Sequence, residues 1–224
     1  VVYIGKVLYS AVGNLATDIN IRQDIVSISP QAFQNQQYLN SLNIPDTVKY
    51  IGGEFNQYGF DIKGAFYNCK NLSFLNFNQT SELLSISAGA FAGCEKIQSI
   101  ASSSDMALCQ LFSTEDMDQS YQVEYHGNIY YVPNSLKQII VFSNGHKKIL
   151  PYAFSNLLAD TIILIEGIEE IGDYAFYNSG HIAQITIPDS VVKIGQYAFK
   201  DCVSLEQIVL QEQNNLKEIG EGAF

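Results

Sequence analysis

The chain has 224 residues, a formal net charge of −11 and a pI near 4.5. This acidic balance argues against nucleic acid or an anionic membrane surface as a partner, because both need a basic face. No apolar run is long enough to cross a bilayer, so we expect no direct membrane insertion.

The first residues alternate between apolar and other side chains. The alternation covers Tyr3-Ile4-Gly5-Lys6-Val7-Leu8-Tyr9, and the turn signal Gly13-Asn14 follows it. A period of two is typical of a β-strand. The pattern predicts a short hairpin-like segment within residues 1–18 that leads into the first repeat.

Apolar/polar/apolar triplets such as Ile19-Asn20-Ile21 and Leu42-Asn43-Ile44 then recur along the chain. Successive side chains of a strand point to opposite faces, so the apolar members are predicted to point inward. We expect the following residues to form one buried ladder: Ile19, Leu42, Leu75, Ile100, Ile139, Ile163, Ile185 and Ile208.

An Ala-Phe dipeptide, usually with an isoleucine five residues before the phenylalanine, recurs in register with these triplets. The last phenylalanines, at 154, 176, 199 and 224, lie 22, 23 and 25 residues apart. The segment around each dipeptide is too short for a stable α-helix and predicts a single 3₁₀ turn. Longer intervals earlier in the chain predict two insertions, near 52–63 and 113–131.

A unit of about 23 residues that recurs along the whole chain is typical of a solenoid, in which each repeat packs only on its neighbours. We therefore predict one solenoid domain over residues 1–224 with about eight repeats, mostly β with short 3₁₀ turns. The chain starts abruptly at Val1 and stops at Phe224. Since repeat arrays usually carry polar caps, we expect a fragment of a longer protein.

Three of the four cysteines, Cys69, Cys94 and Cys202, lie three residues after a repeat phenylalanine, where Ser179 stands in another repeat. This position favours small, buried, unpaired side chains. A disulfide or a metal site is the alternative, although a Cys-x-x-Cys spacing is absent.

Catalytic patterns are not found. His126, His146 and His181 occur singly, without a serine, cysteine or carboxylate at a repeated offset. Adjacent carboxylates such as Glu169-Glu170 lack the spacing of a calcium loop. We predict a protein that is not an enzyme and that needs no cofactor and no metal.

The sequence from Ile182 to Cys202, with its core Ile185-Thr186-Ile187-Pro188 and Ile194-Gly195-Gln196-Tyr197-Ala198-Phe199, resembles the BspA-like leucine-rich repeat family. The resemblance covers nearly the whole chain and implies a right-handed leucine-rich-repeat solenoid. It also implies a secreted or surface-anchored protein of host-associated bacteria or some protists. Such proteins adhere to host or microbial partners.

Two other function classes remain open. A solenoid enzyme that acts on polysaccharides needs charged residues converging on one cleft, whereas the outward strand positions here are almost uncharged. A passive spacer that holds another domain away from a cell is the second alternative. The favoured interpretation is a monomeric adhesion module that binds a protein or glycan.

The outward positions beside the ladder residues are mostly amides, hydroxyls and apolar groups, and such patches often mark interaction sites. We centre the predicted site on Ile140, Ile162 and Leu164 and expect tyrosines of the larger insertion to border it. The candidate partner-binding residues are Phe74, Asn76, Tyr125, Tyr130, Gln138, Ile140, Ile162, Leu164, Gln184 and Thr186.

Overall fold

The computed structural model describes residues 1–52, 64–77, 82–87, 89–103, 111–112, 119–125, 128–143 and 147–224. The chain divides into two compact units. Unit 1 holds residues 1–100, 109–122 and 129–135, and unit 2 holds residues 101–108, 123–128 and 136–224. The single domain over residues 1–224 stays a prediction.

Unit 1 is built from short strands that alternate between two sheets. In one sheet β2, β4, β6 and β8 pair in parallel, with β1 antiparallel at the edge, and in the other β3, β5, β7 and the start of β9 pair in parallel. Their bounds are β1 (Val2–Ile4), β2 (Val7–Ser10), β3 (Asp18–Asn20), β4 (Ser27–Ile28), β5 (Ser41–Asn43), β6 (Tyr50–Ile51), β7 (Phe74–Asn76), β8 (Ser85–Ile86) and β9 (Ser99–Ser103).

Unit 2 repeats this plan. Here β12, β14, β16 and β18 pair in parallel in one sheet, and β13, β15, β17 and β19 pair in the other. Between the strands of unit 1 and those of unit 2 in chain order, β10 (Ser120–Tyr125) and β11 (Asn128–Pro133) form a separate two-stranded sheet, whose residues are divided between the two units. The remaining bounds are β12 (Gln138–Phe142), β13 (Lys148–Ile149), β14 (Thr161–Leu164), β15 (Glu170–Ile171), β16 (Gln184–Ile187), β17 (Lys193–Ile194), β18 (Gln207–Leu210) and β19 (Glu218–Ile219).

Each turn of the chain thus contributes one strand to each of two sheets, because every repeat holds two apolar strand segments separated by turns. The predicted solenoid of mostly β structure with about eight turns is confirmed. The strands β1 and β2 pair across a turn at Gly5 and Lys6, earlier than the Gly13-Asn14 turn signal. Residues 53–63 and 113–118, within the two predicted insertions, lie outside the described residues.

The predicted ladder residues lie inward except at one repeat, but the members on the two edge strands are not buried as predicted: Ile19 on β3 is half-buried and Ile208 on β18 is 36% exposed. In unit 1, Ile19, Leu42 and Leu75 are in register. In unit 2 the residue in register with Ile139 and Ile185 is Ile162, not Ile163. The prediction for Ile163 was therefore wrong by one residue. Ala159 precedes Ile162 by three residues, just as Ile182 precedes Ile185. The turn before Ala159 is one residue shorter than the turn before Ile182, so the inward position comes one residue earlier.

The Ala-Phe dipeptides fill the space between the sheets. In unit 1, Phe33, Phe66 and Phe91 stack with successive ring centroids 5.1 Å apart. In unit 2, Phe154, Phe176 and Phe199 stack at 5.5 and 5.0 Å, and Phe224 follows at 5.4 Å. The rings of Phe66, Phe176 and Phe199, which each lie between two stacked neighbours, are buried. One stacked ring per turn makes each repeat depend on its neighbours.

Around each Ala-Phe, the amide of residue i+3 donates a hydrogen bond to the carbonyl of residue i and closes a turn, as expected for 3₁₀ geometry. In the repeat of Phe33 the amide of Ala32 donates to the Ser29 carbonyl, and that of Gln34 donates to Gln31. However, Gln31 and Asn35 are left-handed, with φ of 59° and 62°. These residues divide the segment into separate turns, so it does not continue as a helix.

The position three residues after each phenylalanine ties neighbouring repeats together. The Sγ–H of Cys69, Cys94 and Cys202 donates to the carbonyl of the preceding repeat's Phe33, Phe66 and Phe176, with distances of 2.9, 3.1 and 3.1 Å. The hydroxyl of Ser179 donates in the same way to Phe154 at 2.9 Å. These three cysteines are buried free thiols, whereas Cys109 lies outside the described residues. Burial raises the pKa of Cys202 to about 11, so its thiol stays protonated near neutral pH.

Candidate functional site

The outward side chains of β3, β5 and β7 form a continuous surface in unit 1, which we call the polar face. Because these strands pair in register, equivalent residues form two rows across them. One row runs through Asp18, Ser41 and Phe74. The second row consists of Asn20, Asn43 and Asn76.

The amides of the second row hydrogen-bond to one another. The Nδ2 group of Asn43 donates to Oδ1 of Asn20 at 2.6 Å, and Nδ2 of Asn76 donates to Oδ1 of Asn43 at 2.7 Å. In the first row the Ser41 hydroxyl donates to Oδ1 of Asp18 at 2.6 Å. This side-chain network fixes the direction of the exposed polar groups before any partner arrives.

Phe74 interrupts the polar face with an apolar group. Its side chain is 43% exposed, and the neighbours in register are Ser41 and Ser99. Beside the amide row lies a surface hollow of about 360 Å³, lined by Asn43, Asn76, Gln23, Asp46 and Phe77, among others. An exposed aromatic ring rimmed by hydroxyls and amides is typical of an interaction surface.

The predicted site residues of unit 2 fall into two groups. Gln184 and Thr186 are exposed on the outward side of β16, and Gln138 is half-buried on β12. Gln138, Thr161, Gln184 and Gln207 form one outward row, and Ile140, Ile163, Thr186 and Val209 form the next. The structure therefore brings Gln138, Gln184 and Thr186 together on one surface.

The predicted apolar centre of the site was wrong. Ile162 and Leu164 are 3% and 8% exposed and point into the core, because the register is one residue away from the predicted one. Ile140 does point outward from its strand, in register with Ile163, but it is only 7% exposed. None of these three side chains offers an apolar contact to a partner. The side chains of Tyr125 and Tyr130 lie outside the described residues.

A stack of tyrosines lies on the turn side of unit 2. Tyr152, Tyr174 and Tyr197 stand two residues before successive repeat phenylalanines, with ring centroids 4.9 and 5.1 Å apart. All three are left-handed, with φ between 54° and 60°, which is rare for a bulky side chain. Burial, followed by the neighbouring Tyr152 and Tyr197 phenols, raises the pKa of Tyr174. The stack thus presents one exposed ring, that of Tyr152, and two half-buried rings on the turn side of unit 2.

The titratable groups are spread over the surface. Within the described residues, no three of His, Cys, Asp and Glu are close enough together to hold a metal ion. His181 Nδ1 lies 3.6 Å from Oδ1 of Asp160, while His126 and His146 lie outside the described residues. Lysine–glutamate pairs join neighbouring strands of unit 2, for example Lys193 with Glu218 at 2.8 Å. No helix in the described part of the chain has the length and apolar character needed to cross a membrane.

Sequence reasoning missed a second surface hollow in unit 1, which we call the turn hollow. It has a volume of about 660 Å³ and is lined by Tyr9, Ser10, Ser29, Pro30, Gln31, Gln34 and Asn35. These residues are separated by up to 26 positions in the chain. One signal is readable afterwards: Gln31 stands where other repeats carry glycine or tyrosine.

A family model described as "BspA type Leucine rich repeat region" matches the chain in six copies, over residues 2–60, 62–135 and 126–224. Curated protein sequences give no match. Among solved structures, a leucine-rich repeat protein of T. pallidum is 17% identical, with 96% of this chain and 77% of that chain covered and a TM-score of 0.44. For the pneumococcal vaccine antigen PcpA these values are 17%, 91%, 58% and 0.32. For a leucine-rich cell surface protein of Faecalibacterium prausnitzii they are 14%, 87%, 79% and 0.23.

Proposed function

Because the chain belongs to the BspA type leucine-rich repeat family, we propose that it is a non-catalytic binding module that presents the polar face of unit 1 to a protein partner. The observation that carries this proposal is the exposed ring of Phe74 within a pre-organised frame of hydroxyls and amides. We further propose that the protein acts at a cell surface or after secretion, in adhesion to host or microbial partners, as the family resemblance implies.

The polar face suits a protein surface better than a small ligand. It is built from three neighbouring strands and has an aromatic residue on β7, at one side of the face, with Ser41 and Ser99 beside it in register. Aromatic residues are enriched at protein interfaces, and a few of them supply most of the binding free energy. The hydrogen-bonded amide row reduces the cost of ordering side chains on binding.

The charges on this surface also support binding rather than catalysis. Glycoside hydrolysis needs two carboxyl groups on opposite sides of the bond that is cleaved. The outward rows of the polar face contain one carboxylate, Asp18, and both its oxygens accept hydrogen bonds, from Ser41 and from Thr17. That carboxylate therefore holds the neighbouring hydroxyl groups in place.

The test uses the whole chain, immobilised and exposed to a panel of purified extracellular-matrix and bacterial-surface proteins. Phe74→Ser replaces the ring with the residue found at both neighbouring register positions, Ser41 and Ser99, so the fold should persist. We expect the affinity for the protein that binds to fall at least about tenfold, as for an aromatic hot spot.

The control for this experiment is Val203→Ala, which removes the most exposed large apolar side chain of unit 2 without touching the polar face. It should leave the affinity unchanged. Equal binding by the Phe74→Ser variant and the unaltered chain would move the site away from the polar face. Capture of glycans but of no protein in the panel would overturn the proposed partner class.

A further inference from the structure

We propose that the turn hollow of unit 1 is a binding site for a neutral sugar residue, separate from the polar face. It differs from the polar face in position, because it lies where β2 and β4 end and the turn around Ala32-Phe33 begins. This inference does not depend on the protein-binding function proposed above.

The walls of the turn hollow come from three segments that parallel pairing brings together. Leu8 of β2 is in register with Ile28 of β4, so Tyr9 and Ser10 lie beside Ser29 at the ends of the strands. The Ser29 amide donates to the Leu8 carbonyl at 2.9 Å and fixes this junction. The following turn then contributes Gln31, Gln34 and Asn35.

The polar groups of the hollow are not used inside the protein. In the part of the chain that the structure describes, the side chains of Tyr9, Ser10, Ser29, Gln31 and Gln34 make no hydrogen bond to one another or to other residues. This differs from the amide row of the polar face, where each side chain already has a partner. Two primary amides, two aliphatic hydroxyls and a phenol therefore remain available to a ligand as donors and acceptors.

The backbone of the same residues follows the geometry of the repeat. Gln31 and Asn35 both adopt left-handed conformations, with φ of 59° and 62°. The same two positions are left-handed in other repeats, for example at Tyr174 and Asn178, so these conformations belong to the repeat itself. The side chain of Asn35 is held by Asn68, whose Nδ2 donates to Oδ1 of Asn35 at 2.8 Å. Of the amides that line the hollow, that of Asn35 is thus held in place by its neighbour.

The chemistry of these walls matches a sugar ring. A pyranose has a face of C–H groups and a rim of hydroxyls that both donate and accept hydrogen bonds. Tyr9, which is 56% exposed, offers an aromatic surface for the C–H face, and the amides and hydroxyls suit the rim. None of the lining residues is charged, and the net charge of the chain is −11, so a neutral sugar is favoured over an anionic one. The hollow is open to solvent and has a volume of about 660 Å³, so a bound sugar would keep one side exposed.

The test uses the whole chain and a panel of neutral sugars: glucose, galactose, mannose, N-acetylglucosamine and lactose. Ligand-observed NMR identifies which sugars bind, and titration gives the dissociation constant. We expect at least one of them to bind with a dissociation constant of about 1 mM or below. Tyr9→Ala should weaken this binding about tenfold or more, since it removes the aromatic surface.

A second variant guards against misfolding. Gln31→Gly removes an amide but places at this left-handed position the residue that Gly89 and Gly222 occupy in equivalent repeats, so the turn should lose strain rather than gain it. It should also weaken sugar binding. Tyr38→Ala, which removes a tyrosine of similar exposure outside the hollow, and Phe74→Ser should leave sugar binding unchanged.

Several outcomes would overturn the proposal. They are the absence of binding by every sugar of the panel, equal loss of binding in Tyr38→Ala and Tyr9→Ala, and undiminished binding in Tyr9→Ala and Gln31→Gly. Loss of sugar binding in Phe74→Ser, but in none of the other variants, would assign the sugar site to the polar face. Two separate sites are supported if Tyr9→Ala loses sugar binding but keeps protein binding, and Phe74→Ser loses protein binding but keeps sugar binding.

Discussion

Unit 1 and unit 2 share the same buried positions but differ in the residues that they expose. Both stack one phenylalanine per turn at about the same spacing, 5.1 Å between Phe33 and Phe66 and 5.0 Å between Phe176 and Phe199. Two residues before the phenylalanine, however, unit 1 has Gln31 and then two glycines, Gly64 and Gly89, whereas unit 2 has the three stacked tyrosines before its last repeat carries Gly222.

The outward strand positions differ in the same manner. Unit 1 has an asparagine at each of three successive positions, whereas the equivalent row of unit 2 contains Ile140, Ile163, Thr186 and Val209. Packing inside the repeat leaves little choice of residue, because a change of one methylene is felt in a close-packed core. Exposed positions carry no such limit, so different surfaces arise on one scaffold.

The largest effects should be equal in the two units, since the core is common to both. Phe66→Ala in unit 1 and Phe199→Ala in unit 2 each remove a buried ring from between two stacked neighbours. We expect each to lower the free energy of unfolding by about 3–5 kcal/mol, through lost burial and the cavity left behind. Chemical denaturation of the whole chain measures this.

Lys70→Ala and Lys200→Ala are the matched controls, because both lysines are exposed in the same repeats. They should change the free energy of unfolding by about 0.5 kcal/mol or less. If Phe66→Ala or Phe199→Ala were no more damaging than its lysine control, the stack would not be the element that the units share.

The position three residues after the phenylalanine should be the next most sensitive, again in both units. In Ser179→Ala the Phe154 carbonyl loses its donor, and the Leu157 amide, 3.2 Å from the Ser179 hydroxyl, loses its acceptor. Leaving buried polar groups unpaired costs about 1–3 kcal/mol. Thermal unfolding of the purified variant is the measurement.

The matched exchange is Ser179→Cys in unit 2 and Cys69→Ser in unit 1, since each residue fills this position in some repeat and each keeps a donor for the carbonyl. Both should cost less than Ser179→Ala. A Ser179→Cys variant as unstable as Ser179→Ala would mean that shape, and not hydrogen bonding, sets the choice of residue here.

Most of the fold could be predicted from the sequence because the repeat alternates apolar and polar residues at fixed offsets. Where that alternation fails, the prediction fails. Residues 162–165 read Ile-Ile-Leu-Ile, so the pattern does not distinguish inward from outward side chains, and a shift of one residue exchanges the two faces. The remaining signal was the interval of 22 residues between Phe154 and Phe176, one shorter than the next.

The candidate sites were only partly predictable. Phe74 and Asn76 could be placed outward because they flank Leu75 in a clear triplet. The turn hollow could not be predicted from the sequence, because it depends on the pairing of β2 with β4 and on the left-handed turn at Gln31. The departure from glycine or tyrosine at Gln31 marks the position but does not show that Tyr9, Ser10 and Ser29 lie beside it.

The smallest predicted effect separates the units most directly, because it concerns the outward rows in which they differ. The Asn43 side chain is hydrogen-bonded to Asn20 on one side and to Asn76 on the other. In unit 2, Thr186 occupies the equivalent outward position, between Ile163 and Val209. Asn43→Ala should therefore cost about 1 kcal/mol, the net value of hydrogen bonds that compete with water. Thr186→Ala, an exposed change, should alter the free energy of unfolding by no more than about 0.5 kcal/mol.

Chemical denaturation of the two variants under one set of conditions compares them, and Asn43→Ser, with a shorter polar group, should fall between. Equal stability of Asn43→Ala and Thr186→Ala would show that the amide row adds nothing to the stability of unit 1. The asparagines would then be free to reorient on binding, and the pre-organisation attributed to the polar face would be lost with them.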